Sequence, residues 1–422
     1  MDLINVDSVS DVNELEKLIA SRKPGFCLPQ PFYTDPGIFD LDLQKVWMRY
    51  WLYAGHTSQL PEQDSYFLFR LRAESVVVLR DENGEVRAHA NVCTHRGSCI
   101  LTEPSGRAKN LVCPYHQWVF RRDGSLRAAK LAESAMDPRR SGLVPDPGKA
   151  FDASLYGLKS VHCRVLEGFI FLCFAPDPPS FDRLVDIYKP HLEMYKIADT
   201  KIAFSKTYRV ASNWKLIGEN ARECYHCGVG HPEYCRVIPG SNLLYSMEPF
   251  ERLRDKKLEE WAAKGIPTYG VNFEDANDWV YCLRYPYSEG FVTESLDGEQ
   301  VAPLLGHRQD PDVGVFSIVQ YPDFWLDVNP DHLTHFVLRP VSATETDVEM
   351  TWLVRKDAVE GKDYEVDKVI AVWRTTGEQD WRLCADNQLG VNSRYYQPGP
   401  HTPVEAGPEQ FDSWYINELL KP

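Results

Sequence analysis

Cys93-Thr94-His95-Arg96-Gly97 and Cys113-Pro114-Tyr115-His116-Gln117-Trp118 decide how this chain is read. They hold a C-x-H pair and a C-x-x-H pair, with seventeen residues between His95 and Cys113. Each stretch offers one thiolate and one imidazole from a short loop. Structural zinc usually draws like ligands from one knuckle, as in C-x-x-C and H-x-x-x-H. The mixed pairs suit a [2Fe–2S] cluster in which one iron takes two Cys and the other two His. Exchanging two anionic thiolates for neutral imidazoles raises the reduction potential above that of a four-Cys cluster. A chain that accepts electrons one at a time is therefore expected. Gly97 permits a tight turn beside the cluster, and Pro114 stiffens the second loop.

With their flanks, these residues resemble the C-x-H-R-G and C-P-Y-H-x-W boxes of Rieske proteins. The cluster ligands are then Cys93, His95, Cys113 and His116.

A second constellation follows about a hundred residues later: Asn213-Trp214-Lys215, Glu219-Asn220, Glu223-Cys224-Tyr225-His226 and His231-Pro232. On an ideal helix, His226 and His231 are about 140° apart and do not face one metal. Gly228 and Gly230 lie between them, so a distorted or ended helix can bring them together. Two His and one carboxylate form the facial triad of non-haem Fe(II) oxygenases, with positions left open for oxygen and substrate. The C-terminal run Gly377-Glu378-Gln379-Asp380-Trp381-Arg382-Leu383-Cys384 offers the distant carboxylate.

The whole set resembles the Rieske non-haem iron oxygenases, over roughly residues 50–390. The resemblance implies that Asp380 is the carboxylate ligand, rather than Glu378 or Asp386, and that His226 and His231 complete the mononuclear site. It also gives Glu223 a role. In most of the family an Asp at this position bridges the cluster of one subunit to the iron of its neighbour in a homotrimer. The longer Glu resembles the branch acting on quaternary ammonium compounds, and the C-terminal run through Asn387-Gln388-Leu389-Gly390-Val391 to Trp414-Tyr415 looks most like stachydrine (proline betaine) demethylases. The implied function is oxidative N-demethylation of a betaine with release of formaldehyde. It would use O2 and electrons from a separate NAD(P)H reductase, since no Gly-rich dinucleotide fingerprint follows a strand here. The alternative is an aromatic-ring hydroxylating dioxygenase. A quaternary ammonium group wants aromatic faces, and Tyr321, Phe324, Trp325 and the aromatics of Trp279–Tyr287 are candidates. Cys224 and Cys227, lacking a second matching pair, read as packing residues, as does Cys99 beside the first cluster loop.

The expected fold class is α+β: a small all-β Rieske domain and a helix-grip catalytic domain built on an antiparallel sheet. Residues 51–176 form the first; residues 1–50 and 177–422 form the second, with Asp177-Pro178-Pro179 breaking the pattern between them. Asn83-Gly84 and Asp123-Gly124 read as hairpin turns. Phe39–Trp51 reads as a helix, and Tyr364–Asn387 as one long helix that presents Asp380, Cys384 and Asn387 on one face.

Net charge of −15 argues against nucleic acid as a partner. No apolar run is long enough to span a bilayer, and Met1–Asp7 has no positive segment, which argues against export. Eleven cysteines without a disulfide-like frame suit a reducing cytoplasm.

Overall fold

The computed structural model describes residues 12–129, 151–272 and 278–421; Met1–Asp7, on which the export reading rests, lies outside them. The chain divides into two compact units, Tyr53–Pro178 and the combination of Met1–Leu52 with Pro179–Pro422. The fold class is the expected α+β.

The smaller unit is built from short strands. They are β1 (Leu52–His56), β2 (Ser65–Leu71), β3 (Glu74–Arg80), β4 (Val86–Ala90), β5 (Ser105–Arg107), β6 (Leu111–Val112), β7 (Val119–Phe120), β8 (Leu126–Ala128), β9 (His162–Leu166) and β10 (Phe169–Cys173). They form sheets in the orders β4-β3-β2-β5, β6-β7-β8 and β1-β10-β9. Gly84 and Gly124 turn the β3–β4 and β7–β8 hairpins at φ of +82° and +87°, a region that costs other residues strain. At Gly124 a side chain would also strike the His89 ring. The core joins Tyr66, Val77, Leu79, Leu111 and Phe120 to Cys93 and Cys113, so the two thiols are anchored from beneath.

The larger unit contains β11 (Thr200–Val210), β12 (Val280–Tyr285), β13 (Val315–Gln320), β14 (Phe324–Val328), β15 (His332–Ser342) and β16 (Glu345–Arg355). They form one antiparallel sheet in the order β11-β16-β15-β14-β13-β12. The helix Val366–Val391 packs on it. A Cβ at Gly377 would lie 2.9 Å from Met350 Sδ, so this glycine lets the helix sit close to β16, three residues before Asp380. The inner face of the helix runs through Gly377, Trp381, Cys384 and Gln388, whereas Asn387, expected on that face, is exposed. The helix expected over Phe39–Trp51 begins earlier, at Pro36, where Asp35 caps it by accepting from Ile38 N. It ends in a π-turn over Leu43–Trp47.

Asp42, at the end of that first helical stretch, accepts from Trp214 Nε1 (2.9 Å), Tyr415 Oη (2.6 Å) and Lys215 Nζ. The Asp42 and Lys215 side chains are fully buried. Burial pushes the Asp42 carboxyl up and Lys215 opposes it; burial likewise lowers the Lys215 ammonium. The hub ties helix Pro36–Asp42 to helices Trp214–Asn220 and Ala406–Leu420. Removing one member of a buried ion pair strands the other charge, at a cost of about 3–5 kcal/mol. Lys215→Met is therefore expected to lower the denaturant midpoint of the larger unit by that equivalent, and Asp42→Asn in the same chain to recover much of it. An unchanged midpoint in Lys215→Met would contradict this role.

Candidate metal centres

The two cysteine–histidine loops share one backbone design. In the first, Gly97 N–H donates to Cys93 O and Cys93 N–H to Ser98 O, both at 2.9 Å. In the second, Gln117 N–H donates to Cys113 O at 3.0 Å and Cys113 N–H to Trp118 O at 2.9 Å. The residue four beyond each Cys is left-handed, with φ +77° at Gly97 and +56° at Gln117. Only the first was legible as a glycine; Gln117 adopts the same conformation at a cost of about 1–2 kcal/mol.

Cys93 and Cys113 are 2% and 1% exposed, whereas His95 and His116 lie at the surface. The imidazole rings are 4.6 Å apart, and His95 stacks on Trp118 at 4.7 Å. Burial raises the Cys93 thiol, and its hydrogen bond with Cys113 adds to this; backbone N–H groups of His95 and Arg96 pull the other way. Burial also acts on Cys113, but N–H groups of Tyr115 and His116 hold its thiol below the ordinary value. Burial, with His116 and Arg96 nearby, lowers the His95 imidazole, favouring its neutral form. Two sulfurs with aimed N–H donors and two adjoining imidazoles fit a cluster of the two-Cys, two-His kind. Cys99, expected to pack, has an exposed side chain.

The second centre lies where the helix breaks. Helix Cys227–Gly230 starts after His226 and stops at His231, whose backbone (φ −134°, ψ 64°) leads into Pro232 and the next helix. The break brings the rings to 5.1 Å at an interplanar angle of 87°. Asp380 Oδ1 lies 2.8 Å from His231 Nε2 and 3.2 Å from His226 Nε2. The opposite ring nitrogens are engaged. Glu223 Oε1 lies 2.5 Å from His226 Nδ1 and Gln379 Oε1 2.8 Å from His231 Nδ1. With Nδ1–H donated to these oxygens, both Nε2 atoms face Asp380, and loss of the proton there frees the lone pairs a metal needs.

Burial lowers the His226 imidazole, but bonds to Asp380 and Glu223 outweigh it and lift it to about 10. His231 is raised by the same balance, through Asp380 and Gln379. Burial pushes the Asp380 carboxyl up, and the two imidazoles more than offset it, leaving it below the usual carboxylate range. The other carboxylates of the C-terminal run are elsewhere: Glu378 pairs with Lys206 at 3.1 Å, and Asp386 is 64% exposed.

Cys227 brings Sγ within 3.9 Å of His226 Nε2 and also clusters with the two His. A hydrogen bond with Cys224, together with burial, keeps its thiol far above the ordinary value. Asp380 Oδ1 stands within 3.2 Å of both Nε2 atoms, closer than Cys227 Sγ stands to His226, so the two-His, one-carboxylate set is the better fit to iron. Cys224 and Cys227, read as packing residues, in fact stand on a cavity wall.

That cavity has a volume of about 370 Å3 and includes His226, His231 and Asp380 in its lining. Trp325, Phe336, Trp373, Tyr234 and Tyr285 supply aromatic wall, Ser317 and Asp327 polar wall, and Arg222 and Arg254 cations. Of the aromatic candidates from sequence, Trp325 and Tyr285 are there. Tyr321 instead donates to Gln410 at 2.6 Å among Phe411 and Trp414. Phe324 packs beside His335 at 5.6 Å.

Residues 181–420 match the family of ring hydroxylating alpha subunits (catalytic domain), and residues 50–138 match the Rieske [2Fe-2S] domain. The chain belongs to the Rieske non-haem iron oxygenases, as an oxygenase (alpha) subunit. It is 36% identical to the glycine betaine monooxygenase oxygenase subunit of Pseudomonas aeruginosa, over 100% of this chain and 96% of that one. Its fold is similar to that of the quaternary ammonium Rieske monooxygenase CntA in complex with L-carnitine (TM-score 0.68, 20% identity, 96% of this chain and 98% of that one). It is equally similar to naphthalene 1,2-dioxygenase from Rhodococcus sp. bound to indole (TM-score 0.68, 16% identity, 97% and 98%). This Rieske oxygenase subunit takes a [2Fe–2S] cluster and a mononuclear iron. No helix among its described residues is long and apolar enough to cross a membrane.

Gln379 escaped the sequence reading, although its position beside Asp380 was a usable signal. The raised imidazoles make a prediction. Below about pH 10 the metal-free His226 holds a proton that an incoming ion must expel, so affinity rises with pH, by about tenfold per unit for each proton released. Calorimetry with Fe(II) in two buffers, at about pH 6 and about pH 8, is expected to register proton release and tighter binding at the higher pH. In Asp380→Ala the mononuclear iron is expected to be lost while the cluster spectrum persists. Metal uptake without pH dependence, or full iron occupancy in Asp380→Ala, would contradict the site.

Proposed function

We propose that this subunit is a monooxygenase that N-demethylates a quaternary ammonium betaine. It places a methyl group of the substrate against the centre formed by His226, His231 and Asp380. When bound, the iron supplies oxygen activation and the cluster supplies electrons singly, drawn from a separate NAD(P)H reductase. Cys93 and Cys113 hold one iron of the cluster and His95 and His116 the other. The observation that carries the reading is the cavity beside the centre. Its aromatic faces attract a cation that cannot donate a hydrogen bond. The fold alone suits an arene equally well; the end-to-end similarity to a betaine-named relative supports the betaine.

The chemistry balances as follows. One oxygen atom of O2 enters a methyl C–H bond to give N–CH2OH, and the other leaves as water, using two electrons and two protons. The N–CH2OH group then breaks its N–C bond. Nitrogen keeps the electron pair, the hydroxyl proton departs, and formaldehyde leaves. Arg254, on the cavity lining at helix Glu248–Ala263, is the cation available for the betaine carboxylate. Stachydrine, by resemblance, and glycine betaine, by full-length similarity, are the two substrates to compare.

Glu223 is proposed to carry the electron-transfer contact between subunits of a homotrimer. Its Oε1 holds His226 Nδ1, and its Oε2 accepts the Tyr225 N–H. A carboxylate has about four lone-pair sites, so room remains for a cluster histidine of a neighbouring subunit.

Purified protein with a surrogate reductase, NADH and O2 is expected to release formaldehyde equimolar with a singly demethylated amine from stachydrine or glycine betaine. No release from any N-methyl compound, together with cis-diol from naphthalene, would transfer the reading to arene dioxygenation. Glu223→Gln is expected to keep both metals and to slow cluster oxidation, measured by rapid mixing of reduced protein with O2 and substrate, by at least about tenfold. Wild-type oxidation rates would remove the bridging role.

A further inference from the structure

Among the described residues, three acidic ones line the cavity: Glu223, Asp327 and Asp380. Glu223 and Asp380 are occupied by the two imidazoles. Asp327 is not. It sits on β14 opposite Ser317 of β13, 3% exposed. Ser317 reaches the carboxylate by a hydrogen bond, while Oδ1 has no hydrogen-bond partner among the described residues. Among those residues no cation is named as acting on it. Neither arginine of the described lining is among the groups acting on Asp327. Arg222 lies over the Tyr321 and Phe411 rings at 4.2 and 4.4 Å, and Arg254 pairs with Asp255 at 2.8 Å.

A buried carboxylate without a counter-charge costs several kcal/mol, so an apolar-substrate cavity would be better off without it. Its setting explains what it is for. Two residues along the same strand face, Trp325 stacks on Phe336 at 4.7 Å, and Phe336 meets Trp373 edge-on at 4.8 Å. A second carboxylate stands nearby: Glu294, fully buried, accepts from Trp373 Nε1 and Asn329 Nδ2 at 2.9 Å each. Burial lifts Asp327 to about 7 and, with Asp327 adding, Glu294 to about 8. Tyr234 and Tyr285 also face this pair and bring no positive charge. With no cation against it the pair therefore holds protons near neutrality, and a cation placed there would favour their loss.

We propose that Asp327 is the specificity-determining counter-charge of this cavity, the anion against which a substrate's quaternary ammonium group rests within the Trp325–Phe336–Trp373 aromatic box. This rests on the betaine reading and deepens it. The aromatic faces accept any flat or rounded apolar group, whereas Asp327 makes the cavity prefer one that is positively charged.

The test compares glycine betaine with its carbon isostere 3,3-dimethylbutanoate, which has the same shape and the same carboxylate but a neutral quaternary carbon in place of the ammonium nitrogen. Affinities are read as KM for the betaine and as competitive inhibition for the isostere. Wild type is expected to prefer the cation by about 10- to 100-fold. Asp327→Asn, with iron content and cluster spectrum checked against wild type, is expected to lose most of that preference by weakening the betaine and not the isostere. A preference unchanged in Asp327→Asn, with formaldehyde still released by wild type, overturns the role of Asp327 and leaves the betaine reading intact. Wild type that binds neither glycine betaine nor stachydrine and turns over an arene overturns both. If Asp327→Asn does not fold, the wild-type comparison decides: equal affinity for cation and isostere overturns the proposal.

Discussion

One carboxylate oxygen held between two imidazole nitrogens is the constraint on which the larger unit depends. Asp380 Oδ1 must come within reach of both His226 and His231, and the three arrive from two distant stretches of chain. The helix carrying Asp380 must approach the sheet closely, which Gly377 allows against Met350. The helix carrying the histidines must break between them, and Pro232 follows the break. Each imidazole must also be turned, and Glu223 and Gln379 turn them by taking the Nδ1 side. The buried Asp42–Lys215 pair then fixes the helix Trp214–Asn220 that leads into this segment. The candidate ligands are thus gathered and oriented without an ion, so little ordering entropy would remain to be lost on binding one.

The smaller unit solves the same problem with backbone in place of long-range packing. Two loops of equal hydrogen-bond pattern sink their sulfurs into a core and leave their imidazoles at the surface. That division suits electron transfer. The sulfurs are shielded and hydrogen-bonded, and the imidazoles are where a partner can reach them.

Much of this was legible because metal chemistry constrains local sequence. The cluster loops were readable at the level of single residues, and the His226–His231 pair was readable because glycines and Pro232 announced the break. Asp380 was not readable from spacing, since Glu378 and Asp386 stand on the same helix; only resemblance separated them. The geometry separates them by exposure and by the Lys206 pairing of Glu378. Strands β12 and β14 went unread. In β14, Asp327 interrupts an apolar run and Pro322 precedes it, yet all five of its residues are buried. The same strand explains the misplaced aromatics. Alternation sends Trp325 to the cavity face and Phe324 to the other. Asp327 itself carried no signal, because nothing in a linear sequence distinguishes a buried carboxylate without a cation from a solvated one.

The most direct measurement is an anomalous difference map, collected at the iron absorption edge, from crystals of the iron-loaded protein. A peak at coordination distance from His226 Nε2, His231 Nε2 and an Asp380 carboxylate oxygen, with Cys227 Sγ outside the shell, is the expected result. A peak coordinated by Cys227 Sγ, or one that leaves Asp380 uncoordinated, would contradict it.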